Sequence, residues 1–281
     1  MASKKTSIGA DGVNMGFQEA AALGLINGVS NIKKFGTVLF GSTGEEYTVW
    51  AAAENGFEIK PYPTAAISVD VSSESANDTL AGTGARKVTI YGLDANYVDV
   101  SETVELAGQT RVSTTQTFLR IFRANVTEVG SGGMNEGNIW VYDDTETSVI
   151  SGVPQTDALK EGLILAGAGQ TQKAFYTVPA GYVYLLHDAE GILTTSKANA
   201  SIRITMQMRL YNENSTNNYE SWRDVALGGL DANGSSMATL KSDVLQYFPE
   251  KTDIRILAES SVTAVELNVR FEGNLISMDY L

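Results

Sequence analysis

Few residues in this chain are of a type that does chemistry, and their spacing builds no motif. His187 is the only histidine. As a general base it would need a nucleophile and an orienting group, and nothing around it in the sequence supplies them. It reads as a polar residue at a strand end. Cysteine is absent, which excludes disulfides, thiol nucleophiles and cysteine–zinc sites. Asp143, Asp144 and Glu146 offer oxygens to a hard cation such as Ca²⁺. They lack the spaced loop signature of such sites, so they read as a solvated linker. Asp224 and Asp231 read as turn residues. The 33 acidic residues allow many carboxylate pairs, but glycosidase chemistry depends on a separation in space that sequence does not give. Gly82-Thr-Gly84 and Gly130-Ser-Gly-Gly133 lack the lysine and following helix of a phosphate cradle, and read as loops. No catalytic, cofactor-binding or metal-binding residue is assigned. The chain is expected to be non-enzymatic and to need no cofactor.

One loop could recognise something. Tyr211-Asn-Glu-Asn-Ser-Thr-Asn-Asn-Tyr219 is polar, flanked by tyrosines and followed by Trp222. Aromatic rings beside amides suit a sugar or a subunit contact, so Tyr211, Asn217, Tyr219 and Trp222 are the surface-recognition candidates. The same composition also suits a long hairpin tip.

The elements that must position these residues are strands. Ile202, Ile204, Met206, Met208 and Leu210 alternate with Arg203, Thr205, Gln207 and Arg209. Val265, Leu267, Val269 and Phe271 alternate with Glu266, Asn268, Arg270 and Glu272. Period-two alternation puts one set on a core face and the other in water. Shorter candidate strands begin at Thr37, Tyr47, Phe57, Ile67, Lys87, Tyr97, Phe118 and Asn138. A second group begins at Lys173, Tyr182, Trp222 and Thr252. Turn residues such as Asn55-Gly56 and Gly92-Leu-Asp-Ala-Asn96 punctuate them. The spacing predicts an all-β protein of two antiparallel β-sandwich (jelly-roll-like) blocks. The expected division is an N-terminal arm at 1–34, a first block at 35–142, a linker at 143–172 and a second block at 173–281. The arm is expected to be extended or to hold a short helix with Phe17, Ala20, Ala21 and Leu23 on one side. It is either a frayed terminus or a segment that orders against a neighbour.

The net charge of −13 repels phosphates and anionic lipid, so neither nucleic acid nor membrane is an expected partner. No run approaches the roughly 20 apolar residues of a spanning helix, and no secretory signal is read after the basic start Met1-Ala-Ser-Lys-Lys-Thr6.

Two stretches resemble virion structural proteins of tailed bacteriophages, those of marine and cyanobacterial podovirus-like viruses in particular. The first is Ser75-Ala-Asn-Asp-Thr-Leu-Ala-Gly-Thr-Gly-Ala-Arg-Lys-Val-Thr-Ile-Tyr-Gly-Leu-Asp-Ala-Asn96, continuing through Val100–Leu106 to Phe118–Ile121. The second joins Thr177-Val-Pro-Ala-Gly181, Pro249–Ile254 and Phe271-Glu-Gly273. The resemblance implies a virion component, either a capsid cement or decoration protein or a neck, tail or receptor-binding accessory. For a cement protein it implies a place on the capsid exterior after assembly in the host cytoplasm. The implied partners are the major capsid protein of the same virion and further copies of the chain, as a homotrimer. The resemblance brings no catalytic residues with it. On that reading Phe17, Leu23 and Ile26 are the capsid-contact candidates.

Overall fold

The structure is a computed structural model and describes residues 16–50, 62–194, 199–232, 236–239 and 246–281. Apart from the short helix Phe17–Ala22 and the 3₁₀ turns Asp157–Leu159 and Met278–Tyr280, its regular elements are strands, and all their pairings are antiparallel. The all-β expectation holds.

The larger core lies between two five-stranded sheets. One runs Val29–Leu39, Glu266–Ser277, Tyr182–Thr194, Ser236–Thr239, with Gln246–Phe248 also on Tyr182–Thr194. The other runs Phe175–Thr177, Asp253–Ser260, Ala200–Arg209, Arg223–Ala232, with Glu46–Thr48 on Asp253–Ser260. The two alternating stretches face each other across this core. Ile202, Ile204 and Met206 meet Leu267, Val269 and Phe271, and all six are buried. Ser201 and Arg203, of opposite parity, are exposed. Each buried aliphatic or aromatic side chain of this size contributes about 1.5–3 kcal/mol.

The second core lies between Lys160–Ile164, Ile139–Asp143, Val69–Ser73, Val112–Ser113 on one side and Asp99–Glu105, Ala85–Leu93, Arg120–Val129 on the other. Val69, Val71, Val88, Ile90, Ile121 and Val141 fill it. Ile139–Asp143 is buried along its whole length. Ile139 and Val141 enter the smaller core, while Trp140 and Tyr142 enter the larger one. That double burial explains why Ile139–Tyr142 is a continuous apolar run, without the alternation of a sheet that has one wet face.

The structure corrects several expectations. The boundary expected after residue 34 falls inside the strand Val29–Leu39, which pairs residue by residue with the far end of the chain, from Val29↔Ile276 to Leu39↔Glu266. Val38, Phe40, Val49 and Trp50 accordingly belong to the core of the C-terminal sheets. The stretch 143–172, expected as a linker, contains Lys160–Ile164, which is fully buried and pairs with Ile139–Asp143. Lys160, Glu161 and Gly162 concealed a strand whose packing comes from neighbours. His187 is not at a strand end. It lies inside Tyr182–Thr194 at a bulge, where the register with Glu266–Ser277 shifts between Leu186 and Asp188. The helix Phe17–Ala22 forms and buries Ala20 and Ala21, but Phe17 and Leu23 are exposed and do not share that face. The expected strand at Phe57 with its Asn55-Gly56 turn, and the first fifteen residues of the expected arm, lie outside the described residues.

Candidate functional site

Of the acidic residues read as a solvated linker, Asp144 is exposed while Asp143 and Glu146 are structural acceptors. Asp143 and Glu146 are 3% and 1% exposed. Asp143 accepts from the Thr145 amide at 2.9 Å and its hydroxyl at 2.6 Å. Glu146 accepts from the amides of Ser148 at 2.8 Å and Thr156 at 2.7 Å. Burial raises the Glu146 pKa, but these hydrogen bonds outweigh it and hold the carboxyl below its ordinary value of 4.5. A depressed carboxyl stabilises the fold above its unfolded pKa, and the contribution is lost as pH falls through the folded value. Glu146→Ala is therefore expected to cost about 1–3 kcal/mol near neutral pH. The gap from the parent should close as unfolding is measured at successively lower pH below 4.5. A gap that does not change with pH would contradict this role. Among the described residues, no group of three or more metal-type ligands is assembled.

The glycine-rich loops are held by a carboxylate of the same kind. Asp78, fully buried, accepts from Ser73 Oγ at 2.5 Å, Ala85 N at 2.7 Å, and Glu136 N and Gly137 N at 2.9 Å. Gly130 N and Gly132 N donate to the carbonyls of Gly84 and Thr83, both at 2.7 Å. The backbone amides of these turns are thus engaged with each other and with Asp78.

The recognition loop ends on a buried ionic centre. Asp253 is 0% exposed and Arg120 is 3% exposed. Arg120 Nε and Nη2 donate to the two Asp253 oxygens, each at 3.0 Å, in a bidentate pair. Its Nη1 donates to the carbonyls of Pro63 at 2.9 Å and Leu119 at 2.8 Å, and Nη2 also reaches Tyr219 Oη at 3.1 Å. Those five bonds use all five guanidinium hydrogens. Arg209 Nε adds a bond to Asp253 Oδ2 at 2.9 Å, and Thr177 Oγ1 one to Oδ1 at 2.6 Å.

Around the two arginines stand the rings that sequence reading marked for recognition. The Arg209 guanidinium lies 4.3 Å from the Tyr219 ring centre and 4.9 Å from that of Trp222. Arg255 lies 4.0 Å from Trp222. Tyr219 Oη is 2.8 Å from Tyr97 Oη, and Tyr211 meets both rings edge-on at 5.7 Å. Burial, helped by the Asp253 charge, pushes the Tyr219 phenol above its ordinary pKa and keeps it protonated. The faces of Tyr219 and Trp222 are therefore occupied by guanidinium groups of the same chain. Asn217 is exposed at the tip and borders, with Tyr62 and Arg209, a recess of about 140 Å³. Sequence reading found the rings and missed Arg120 and Asp253, whose separation along the chain hides their pairing.

The capsid-contact candidates stand at the opposite kind of surface. Phe17 is 49% and Leu23 63% exposed, and Ile26 is half-buried. Leu25, unnoticed in the sequence, is 50% exposed. The C-terminal turn lies at the same end of the sheet, since Ser277 N donates to Gly28 O at 2.7 Å. It adds exposed Met278, Tyr280 and Leu281. Gly28 has a φ of +72°, and a Cβ there would meet the Tyr280 ring, so only glycine lets these two segments close up. These exposed apolar residues gather at one end of the sheet, and apolar groupings of this kind mark interaction surfaces in soluble proteins.

No protein-family model matches the chain, and no curated protein matches it. Solved structures return low-scoring likenesses. The T13 viral particle of infectious bursal disease virus aligns over 89% of this chain and 68% of its own, at 10% identity and a TM-score of 0.25. The VP2 subviral particle of the same virus aligns over 89% and 70%, at 11% identity and 0.25. The CBM22 tandem of Xyn10C from Paenibacillus barcinonensis aligns over 89% and 94%, at 12% identity and 0.24. A virus particle protein and a CBM22 tandem score alike, and neither selects a function.

Proposed function

We propose that this chain is a non-enzymatic structural component of a virus particle, and within that class a capsid cement or decoration protein. The observation that carries the reading is the set of exposed apolar residues beside the contact of Gly28 with the C-terminal turn, which leaves Phe17, Leu23, Leu25, Tyr280 and Leu281 in water. The sequence resemblance of residues 75–121 to tailed-phage virion proteins supports the class. The partner on this reading is the major capsid protein, with further copies of the chain in a trimer on the shell exterior. A protein that binds the assembled lattice and not the free subunit stabilises the shell by mass action. The exposed apolar residues there supply the contact.

Leu23→Ser tests the contact. The side chain is 63% exposed, so the fold does not depend on it. Binding to shells of the cognate particle lacking this protein, followed by co-sedimentation, is expected to weaken about tenfold or more, equivalent to about 1.4 kcal/mol. Unchanged binding would move the contact elsewhere on the molecule.

A further inference from the structure

A cleft of about 510 Å³ opens between the inner side of Val29–Leu39 and the strand Arg120–Val129. Its walls carry Lys33, Lys34 and Arg123 against one acidic residue, Asp99. In a chain of net charge −13, that is a local reversal of sign. Lys33 is committed elsewhere, to Glu272 at 3.0 Å.

Lys34 is the unusual member. It has the same strand parity as buried Gly36 and Val38 and is 5% exposed. Its Nζ donates to Phe122 O at 2.6 Å and lies 5.9 Å from the Phe122 ring centre. Among the described residues it has no carboxylate partner, and one carbonyl leaves two of three ammonium hydrogens unused. Arg123 donates from Nη2 to Lys33 O at 3.2 Å, and it too has no carboxylate partner among the described residues. A third cation, Lys173, is buried close behind and donates to the carbonyls of Ile121 and Glu161. Desolvation, then Arg123, then Lys173 lower the Lys34 pKa, and desolvation brings Lys173 to about 8 against the opposing charge of Glu161. Burial also raises the Asp99 pKa. A buried ammonium without a counter-ion is costly. Lys34 and Arg123 face one cleft, and one kind of ligand relieves them together.

We propose that this cleft is an oxyanion site, taking a carboxylate or phosphate group between Lys34 and Arg123. The cavity is in the size range of small-molecule sites. Phe122, Tyr91 and Tyr176 on its walls give an attached apolar body something to pack on. The first fifteen residues carry Lys4 and Lys5, so their charge does not suit the cleft. The site is independent of the terminal face and of the virion reading.

Three probes on the full chain decide it, followed by calorimetry or ligand-observed NMR. Benzoate presents a carboxylate with an apolar ring, benzamide the same body without charge, and inorganic phosphate the anion alone. Saturable binding of benzoate, of phosphate or of both is expected, with none for benzamide. Benzoate alone identifies a carboxylate ligand, and phosphate alone a phosphate ligand. Lys34→Met and Arg123→Met should each weaken binding about tenfold or more. Arg123 is only half-buried, so its variant serves if Lys34→Met fails to fold. Binding of neither anion, equal binding of benzamide, or unchanged affinity in Arg123→Met would overturn the proposal.

Discussion

Replacing Asp253 with alanine is expected to destabilise the protein by about 3–5 kcal/mol, the usual cost of removing one partner from a buried ion pair. The reason is specific to this centre. Asp253 is the shared acceptor of Arg120, Arg209 and Thr177 Oγ1. Without it, Arg120 keeps two carbonyls and the Tyr219 hydroxyl but holds an uncompensated charge at 3% exposure. The loss should also reach the loop, because Tyr219 and Trp222 stack on the guanidinium groups that Asp253 orients. Denaturant unfolding measures the cost, and Trp222 fluorescence reports the loop. Replacing Asp253, Arg120 and Arg209 together by apolar residues of similar volume should cost far less than Asp253→Ala alone, since no buried charge is then stranded. A single-variant loss below about 1 kcal/mol, the scale of an exposed pair, would show that the centre is wet and not a buried lock.

Removing residues 1–34 is expected to cost on the order of 5 kcal/mol or to prevent folding. A deletion ending at residue 27 should leave the sheet intact. Val29 through Lys34 make six of the eleven residue pairs between Val29–Leu39 and Glu266–Ser277. At about 1 kcal/mol net per lost hydrogen bond, that segment alone accounts for most of the loss. It would also uncover Phe271, the pairing partner of Lys34 and part of the larger core. Thermal unfolding of the two truncations is the measurement. Equal melting temperatures would contradict the pairing of the chain's two ends. The comparison also separates fold from contact, since only the shorter deletion removes Phe17 and Leu23 without cutting into the strand.

Much of this architecture is legible as text because a sheet with one wet face writes its orientation into every second residue. Ile202 to Met206 and Leu267 to Phe271 needed no structure to be placed on facing sheets. Strands buried on both faces carry no such record. Lys160-Glu-Gly-Leu-Ile164 looks like connection and is core. Lys34 falls at the end of the expected arm and drew no reading of its own, although its parity with Gly36, Val38 and Phe40 was the available sign that it points inward. Asp143 and Glu146 look like solvent-facing acids because the amides that engage them are supplied by the folded turn. Arg120 and Asp253 could not be joined from sequence at all, since each is an ordinary charged residue until the sheets bring them together. Of the recognition candidates, the aromatic identities were readable, but the arginines that cover two of the rings were not.

The proposed function makes this protein a part of a virion that binds the shell. Cryo-electron microscopy of intact particles carrying it tests that most directly. Density for the two sandwiches is expected at repeated lattice positions on the outer shell, in threefold clusters, with Phe17, Leu23 and Tyr280 facing the capsid protein. Copies confined to one vertex or the tail, or particles that lack the protein altogether, would contradict it.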